Sequence, residues 1–366
     1  MNILFILHTA NNNGATNSVQ HLILYLLQNS LKIKYLTLDN TELKSVSEDN
    51  RVSIRFNYNK LKSFKNLLRF ILGRNHVTNY SHEVYKLSNS NYSILYVNTI
   101  VSLRLAIDIK KYNQKLKIIL HLHEMETIIK QTFSEFDQYD EFISSYIVVS
   151  KFTKQYLLDL GISKNKIFLI NECTAIPTVN NLDYKLKKEY NVVMLGEAHW
   201  RKGDDIFLLI VKQVIEINCE IHFYWIGKLD PYRKVILEQD INKLGISSNI
   251  TFIEEVKNPQ DYLAKMDLFM LTSREDPFPL AVIEAGMLGI PIICFEKATG
   301  LEDDILNVGG DVVPYLDIYA MSKSVIKFFE NRESISLKKN STIEYFMRFN
   351  PDKICGQIYD VLNQLV

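Results

Sequence analysis

No run of eighteen apolar residues occurs anywhere in the chain, so no segment is predicted to span a membrane. Cysteine is scarce, with four in 366 residues. The four are far apart, with no CxxC and no metal-ligand spacing, which excludes a disulfide-framed secreted module. Free thiols suit a reducing cytoplasm, and Cys219 and Cys294, beside apolar runs, are expected to be buried small hydrophobes. The opening stretch MNILFILHTANNNGAT lacks a basic n-region and has too short an apolar run for a signal peptide, so a cytoplasmic location is expected. The loop after the first apolar run has no GxGxxG, which argues against a dinucleotide dehydrogenase. Charge of one sign is also missing: formal net charge is +0, which argues against a general nucleic-acid binder.

What is present points to two α/β domains. The length is comfortable for two domains, and 47% apolar residues can fill two cores. The zero net charge hides an asymmetry. Residues 1–178 hold 21 Lys+Arg against 14 Asp+Glu, about +7; residues 179–366 hold 21 against 28, about −7. Short apolar runs at Ile3–Leu7, Lys34–Leu38, Val52–Phe56, Ile94–Val97, Ile118–Leu122 and Tyr146–Val149 alternate with helical stretches, as in a parallel sheet. A first helix is expected to begin near Asn17–Ser18, a good N-cap, and late helices are expected over 321–331 and 334–349, broken at Asn350–Pro351.

One stretch organises the rest: TSREDPFPLAVIEAGMLGIPIIC, Thr272 to Cys294. It reads as strand end, polar loop, helix from Leu280 to Leu288, turn at Gly289, and a second strand after Pro291. Asp276 and Glu284 are eight positions apart, with Glu275 just before. The backbone of Phe278, Pro279, Leu280 and Ala281 lies at the helix start, where N–H groups and the helix dipole favour a phosphate.

This stretch resembles the signature of the retaining nucleotide-sugar glycosyltransferases of family 4, an acidic-x7-acidic pair followed by A-x-x-x-G-x-P. Here the pattern is Asp276-x7-Glu284, then Ala285, Gly289 and Pro291. The resemblance implies the GT-B fold: α/β, with two Rossmann-like domains facing across a cleft. It implies an acceptor domain over 1–178, a nucleotide-sugar domain over 179–349 and a C-terminal helix over 350–366 returning to the first domain. It also implies that the first carboxylate lies by the donor sugar, the following amides hold the diphosphate, and Glu284 binds the ribose. Whether Glu275 or Asp276 faces the sugar stays open.

Other segments extend the likeness. GEAHWRKG, from Gly196 to Gly203, resembles the family's R-x(4–5)-K-G, with Lys202 in place, Glu197 where the first Arg belongs, and Arg201 as its substitute. Arg201 and Lys202 are therefore candidate diphosphate ligands, with Arg274 a further one. Gly227, Val256 and Tyr262 fall where the nucleotide base is expected. VVSKFTKQYLLDLGISKNKIFLI, from Val148 to Ile170, also matches, but the usual N-G-(V/I)-D ending is replaced by Asn171-Glu172-Cys173-Thr174. The domain crossing is expected there, with linker residues through about Lys188. HLHE resembles the family's H-(E/D) at His123-Glu124, which makes His123, Asp276 and Glu275 the catalytic candidates. His123 touches the sugar, polarises its hydroxyls as a neutral imidazole, is structural, or forms a metal site with His121. Asn13-Gly14 stands where the family often has Gly-Gly; it approaches acceptor or donor phosphates, or simply makes a turn.

The implied reaction moves a sugar from a nucleotide-diphosphate-sugar to a glycan or lipid-linked hydroxyl acceptor, in bacterial surface polysaccharide or glycolipid synthesis. No cofactor and no metal is expected: the chain has no D-x-D motif of the metal-holding type, since Asp303-Asp304 has the wrong spacing. KLKSFKNLLRFILGR, residues 60–74, is a basic amphipathic stretch that either docks on an anionic membrane at its inner face or packs on the core. Two other functions share the motifs, a GT-B sugar-nucleotide epimerase and a non-catalytic nucleotide-sugar-binding subunit.

Overall fold

The computed structural model describes residues 1–11, 14–54, 76–180, 184–331 and 337–365. These fall into two units, Met1–Cys173 with Pro351–Val366, and Thr174–Asn350. Each unit has one six-stranded sheet in which every strand pair is parallel.

In the first unit the order is β2-β1-β3-β4-β5-β6. The strands are β1 (Asn2–Leu7), β2 (Lys32–Thr37), β3 (Ile94–Asn98), β4 (Lys117–Leu122), β5 (Ile143–Val148) and β6 (Ile167–Leu169). The inner strands β1, β3 and β4 read as nearly continuous apolar runs, as expected where helices cover both faces of a parallel sheet, whereas the edge strand β2, KIKYLT, exposes Lys32 and Lys34. On one face Leu4, Ile6, Leu95, Val97, Ile118 and Leu120 enter a common core. Helix α1 (Gly14–Gln28) buries Val19, Leu22, Ile23 and Leu26, at helical spacing. It packs against the last helix, Pro351–Gln364, whose Tyr359 meets Tyr25 edge-on at 6.4 Å. Further helices are α2 (His76–Ser88), α3 (Leu103–Tyr112), α4 (Glu126–Phe133) and α5 (Lys151–Asp159). Ser150 caps α5, accepting from the Thr153 amide at 3.1 Å.

In the second unit the order is β12-β11-β10-β7-β8-β9. The strands are β7 (Tyr190–Leu195), β8 (Ile221–Ile226), β9 (Ile250–Ile253), β10 (Leu268–Leu271), β11 (Ile292–Phe295) and β12 (Asp311–Val313). The helices are α6 (Asp204–Ile217), α7 (Pro231–Leu244), α8 (Gln260–Leu263), α9 (Leu280–Met287), α10 (Glu302–Asn307), α11 (Ile318–Glu330) and α12 (Lys339–Phe346); the last helix is α13. Successive strands leave β7 in opposite directions, so the order reverses between β7 and β10. Open α/β sheets bind ligands at the strand C-termini beside such a reversal. The first unit has the same reversal between β1 and β3.

Four expectations need correction. Helix α1 begins at Gly14, and Ser18 is not its cap: it faces inward, 3.8 Å from the Cys173 sulfur. Val52–Phe56 is no strand over its described part. Arg51 makes one isolated bridge to Tyr35, then pairs with Glu42 and donates to the Asn40 carbonyl, while Ile54 is held by Asn40; residues 55 and 56 lie outside the described residues. Cys219 is exposed, because it sits in the turn between α6 and β8 rather than in the strand. The helix expected over 334–349 is α12 followed by a 3-10 turn at Met347–Phe349, with residues 332–336 outside the described residues. Asn13 and the basic stretch 60–74 also lie outside them. Among the described residues no helix is long and apolar enough to cross a membrane.

Candidate active site

The loops that follow β7 and β10 flank the reversal in the second unit, and four hydrogen bonds stitch them together. Thr272 Oγ1 donates to the Lys202 carbonyl at 3.0 Å, and the Arg274 amide donates to the Arg201 carbonyl at 2.8 Å. Arg274 Nη1 reaches the Trp200 carbonyl at 2.7 Å, and Arg201 Nη1 reaches the Glu275 carbonyl at 2.9 Å. Gly203 makes this approach possible. Its φ is +70°, and an added Cβ would lie 2.1 Å from the Thr272 carbonyl oxygen. The loop after β10 is pinned from its other side by Asp276 N–H donating to Ala298 at 2.7 Å and Gly300 N–H to Pro277 at 2.8 Å.

This stitching brings Arg201 and Lys202 onto Asp276. Arg201 Nη1 lies 3.2 Å from Oδ1, Lys202 Nζ pairs with Oδ2, and Ser273 Oγ stands 3.4 Å from Oδ2. The side chains of Lys202 and Asp276 are only 12% and 8% exposed. Burial alone would raise the Asp276 carboxyl, but Lys202 and Arg201 outweigh it and hold it below the ordinary carboxylate range. Burial pulls the Lys202 ammonium down from its usual value, with Asp276 opposing. Neighbouring His199 accepts from the Arg201 amide at 3.2 Å; burial, Arg201 and Lys202 together push it below its usual value. Two cations against one carboxylate leave a surplus positive charge where the loop leads into the N-terminus of α9. That arrangement suits an anionic ligand.

The other candidates are placed differently. Arg274 forms a two-point ion pair with Asp205, both bonds at 2.9 Å, and lies over the Trp200 ring at 5.3 Å. It therefore holds the loop pair in place. Phe278 is buried and meets Phe349 edge-on at 5.3 Å, and Pro279 has no N–H; of the four positions expected at the helix start, only three carry an amide. Glu284 accepts from Thr174 Oγ1 at 3.2 Å and Gln260 Nε2 at 3.0 Å, and burial pushes its carboxyl up against both bonds. Tyr262 is turned onto Tyr184, centroids 5.0 Å apart, while Val256 is half-buried in the loop after β9. Gly227 serves the backbone: a Cβ there would meet the Gly196 carbonyl oxygen at 2.3 Å. Glu275 is half-buried, and its carbonyl orients Arg201. Gly14 is the exposed first residue of α1.

In the first unit, His123 follows β4 and is bracketed by two acceptors. Nδ1 pairs with Glu172, and Nε2 lies 2.8 Å from Asn98 Oδ1. Burial would lower its pKa, but Glu172, with a smaller push from Glu124, raises it. His121 lies beneath, ring centroids 4.0 Å apart, with Nδ1 2.8 Å from the Tyr96 hydroxyl. Burial and the neighbouring His123 press His121 well below the usual range. Among the described residues no group of three or more His, Cys, Asp or Glu is placed to hold a metal ion.

Sequence reasoning missed Glu172, Asn98, Ser273, Thr174 and Gln260. Only Glu172 and Thr174 carried a signal, since both stand where the expected N-G-(V/I)-D ending fails.

Residues 189–331 match the model of the family described as glycosyl transferases group 1. A capsular polysaccharide biosynthesis glycosyltransferase, CapH of Staphylococcus aureus, is 32% identical over 110 residues, which is 29% of this chain and 31% of that protein. An O-antigen biosynthesis glycosyltransferase, WclY of Escherichia coli, is 26% identical over 157 residues, 42% of this chain and 43% of that one. The chain thus spans less than half of either relative. Over 100% of both chains the fold is similar to Anabaena HepE, solved with UDP and glucose, at TM-score 0.79 and 16% identity. It is also similar to the lipopolysaccharide outer core galactosyltransferase WaaB, at TM-score 0.74 and 15% identity. Residues 189–331 thus resemble a glycosyl transferases group 1 domain, and the two parallel six-stranded sheets are those of the GT-B fold.

Proposed function

We propose that the chain transfers a glycosyl group from a nucleoside diphosphate-sugar to a hydroxyl acceptor, with retention of anomeric configuration and without a metal ion. The observation that carries this reading is the Arg201–Asp276–Lys202 cluster, two cations closed on a buried carboxylate, at the strand-order reversal. As the bond from the sugar C1 to the phosphate oxygen breaks, negative charge grows on the leaving diphosphate. Two cations already oriented by Asp276 stabilise that charge without reorganising. Glu284, on the helix that the same loop enters, is the ribose ligand. For retention, the acceptor oxygen bonds to C1 on the face the phosphate leaves, and the phosphate oxygen takes the acceptor proton. The relatives' names, capsular and O-antigen biosynthesis glycosyltransferases, support a surface-glycan product. Proton NMR of the product formed in EDTA tests the reading. The expected product keeps the donor's anomeric configuration. Inversion, or donor epimerised or hydrolysed with no acceptor product, contradicts it.

The acceptor is a glycan or a lipid-linked saccharide, met at the inner face of the membrane. The basic stretch 60–74 supports docking on anionic lipid, since its Lys and Arg residues are interrupted by no acid. Reversing Lys62, Lys65 and Arg69 to Glu is expected to abolish sedimentation with anionic vesicles. Undiminished binding contradicts the docking.

A further inference from the structure

We propose that Glu172 is a positioning residue that keeps His123 doubly protonated, so that His123 serves the first unit's ligand as a cationic hydrogen-bond donor rather than as a neutral imidazole. Both neighbours of the ring are acceptors. Glu172 Oε1 faces Nδ1, and Asn98 Oδ1 faces Nε2 at 2.8 Å. The Asn98 amide nitrogen is turned the other way, to the Ala15 carbonyl at 3.4 Å, which fixes its oxygen toward His123. A neutral ring has one N–H and would leave one acceptor facing a lone pair. The side chains of His123 and Glu172 are 6% and 5% exposed, so water does not replace either partner.

The surroundings permit only one charge on the two adjoining rings, which are tilted by 41°. From β4, His121 lies against His123, and Glu124 accepts the His123 amide at 3.0 Å. From β3, Tyr96 binds His121 Nδ1. The segment after β6 brings Glu172 and Cys173, and α13 brings Cys355 next to Cys173. Two carboxylates, Glu172 and Glu124, favour the charged His123 ring, and burial together with His123 presses His121 well below the usual range. The Nε2–H, now held by Asn98, is the donor that a ligand oxygen takes over.

The activity arm of the test rests on the glycosyl-transfer reading; the titration arm does not. In the intact chain with ring-labelled histidine, assigned through His123→Asn, His123 is expected to titrate above the ordinary value of about 6.5. Both of its nitrogens are expected to be protonated at neutral pH. In Glu172→Gln the midpoint is expected to fall below that value, and in Glu172→Asp to stay above it. Because the folded-state pKa is raised, the active form is complete at low pH and lost as pH rises through that pKa. The alkaline limb of the kcat profile therefore moves to lower pH in Glu172→Gln. At a pH above both midpoints, turnover falls about tenfold for each pH unit that the limb moves. Glu172→Asp restores it. A neutral His123 in the parent protein at neutral pH overturns the proposal, whether or not the Gln variant folds. So does an unchanged midpoint in Glu172→Gln. Loss of transfer in every protein with the titration as expected counts against the transfer reading and leaves the Glu172 assignment standing.

Discussion

Replacing Lys202 with alanine is expected to remove most turnover, a loss of about 2–4 kcal/mol in transition-state stabilisation, as for other positioned charge-stabilising donors. The reason is geometric. Lys202 is held between the stitched loops by its own carbonyl, which accepts from Thr272, and by its ammonium, which pairs with Asp276. A cation so placed interacts with charge that appears only as the leaving group departs. The variant also leaves Asp276 buried with Arg201 alone. Removing one partner of a buried pair costs about 3–5 kcal/mol, and Arg201 lowers that figure here. The pH dependence follows from the depressed Asp276 carboxyl. Its contribution to stability is present above the unfolded carboxylate pKa and is lost as pH falls through the lower folded value. The alanine variant should therefore lose part of the parent's acid-dependent stability. Lys202→Arg keeps the charge and separates it from the loss of packing. Steady-state kinetics with thermal unfolding at neutral and acid pH check both effects, and near-normal kcat in the alanine variant removes Lys202 from the chemistry.

Gly203→Ala is expected to destabilise the fold by about 2–5 kcal/mol and to lower activity in the molecules that remain folded. A left-handed alanine costs about 1–2 kcal/mol. Overpacking adds about 1–3 kcal/mol, since the new Cβ meets a backbone oxygen at 2.1 Å rather than the end of a flexible side chain. Relief requires the two loops to part, which moves Lys202 and Arg201 away from Asp276. Thermal unfolding and turnover per folded molecule give the test. A variant within about 1 kcal/mol of the parent and fully active contradicts the view that this contact sets the site.

The sheets were readable because each buried parallel strand is a short apolar run with a clear break after it. Leu268–Leu271, the polar loop, α9 and Ile292–Phe295 follow one another as the residues imply. Strand and helix edges were less legible where a buried side chain competes with a local signal. Ser18 looks like a cap, but the core face of α1 needs it inward. Cys219 lies just short of a buried strand, so its apolar neighbours mislead. At the site, Arg201 and Lys202 lie 75 and 74 positions from Asp276 in the chain, and only a motif, not periodicity, brings them to mind together. Of the two partners of His123, only Glu172 carried a signal, the failed N-G-(V/I)-D ending, and that signal did not point to His123. Asn98 and Glu172 lie 25 and 49 positions away, and nothing in their local sequence says that their side chains turn toward one imidazole.

The donor-site assignment is tested most directly by thermal unfolding of the intact chain in EDTA with UDP, GDP, ADP and dTDP and their sugars, in the parent and in Lys202→Ala. A ligand that binds the native state raises the unfolding temperature with its concentration. Nucleotides of one base are expected to raise it in the parent, EDTA is expected to leave that rise intact, and Lys202→Ala is expected to lose it. No rise with any of the nucleotides, or an undiminished rise in Lys202→Ala, would contradict the assignment of Arg201, Lys202 and Asp276 to the donor diphosphate.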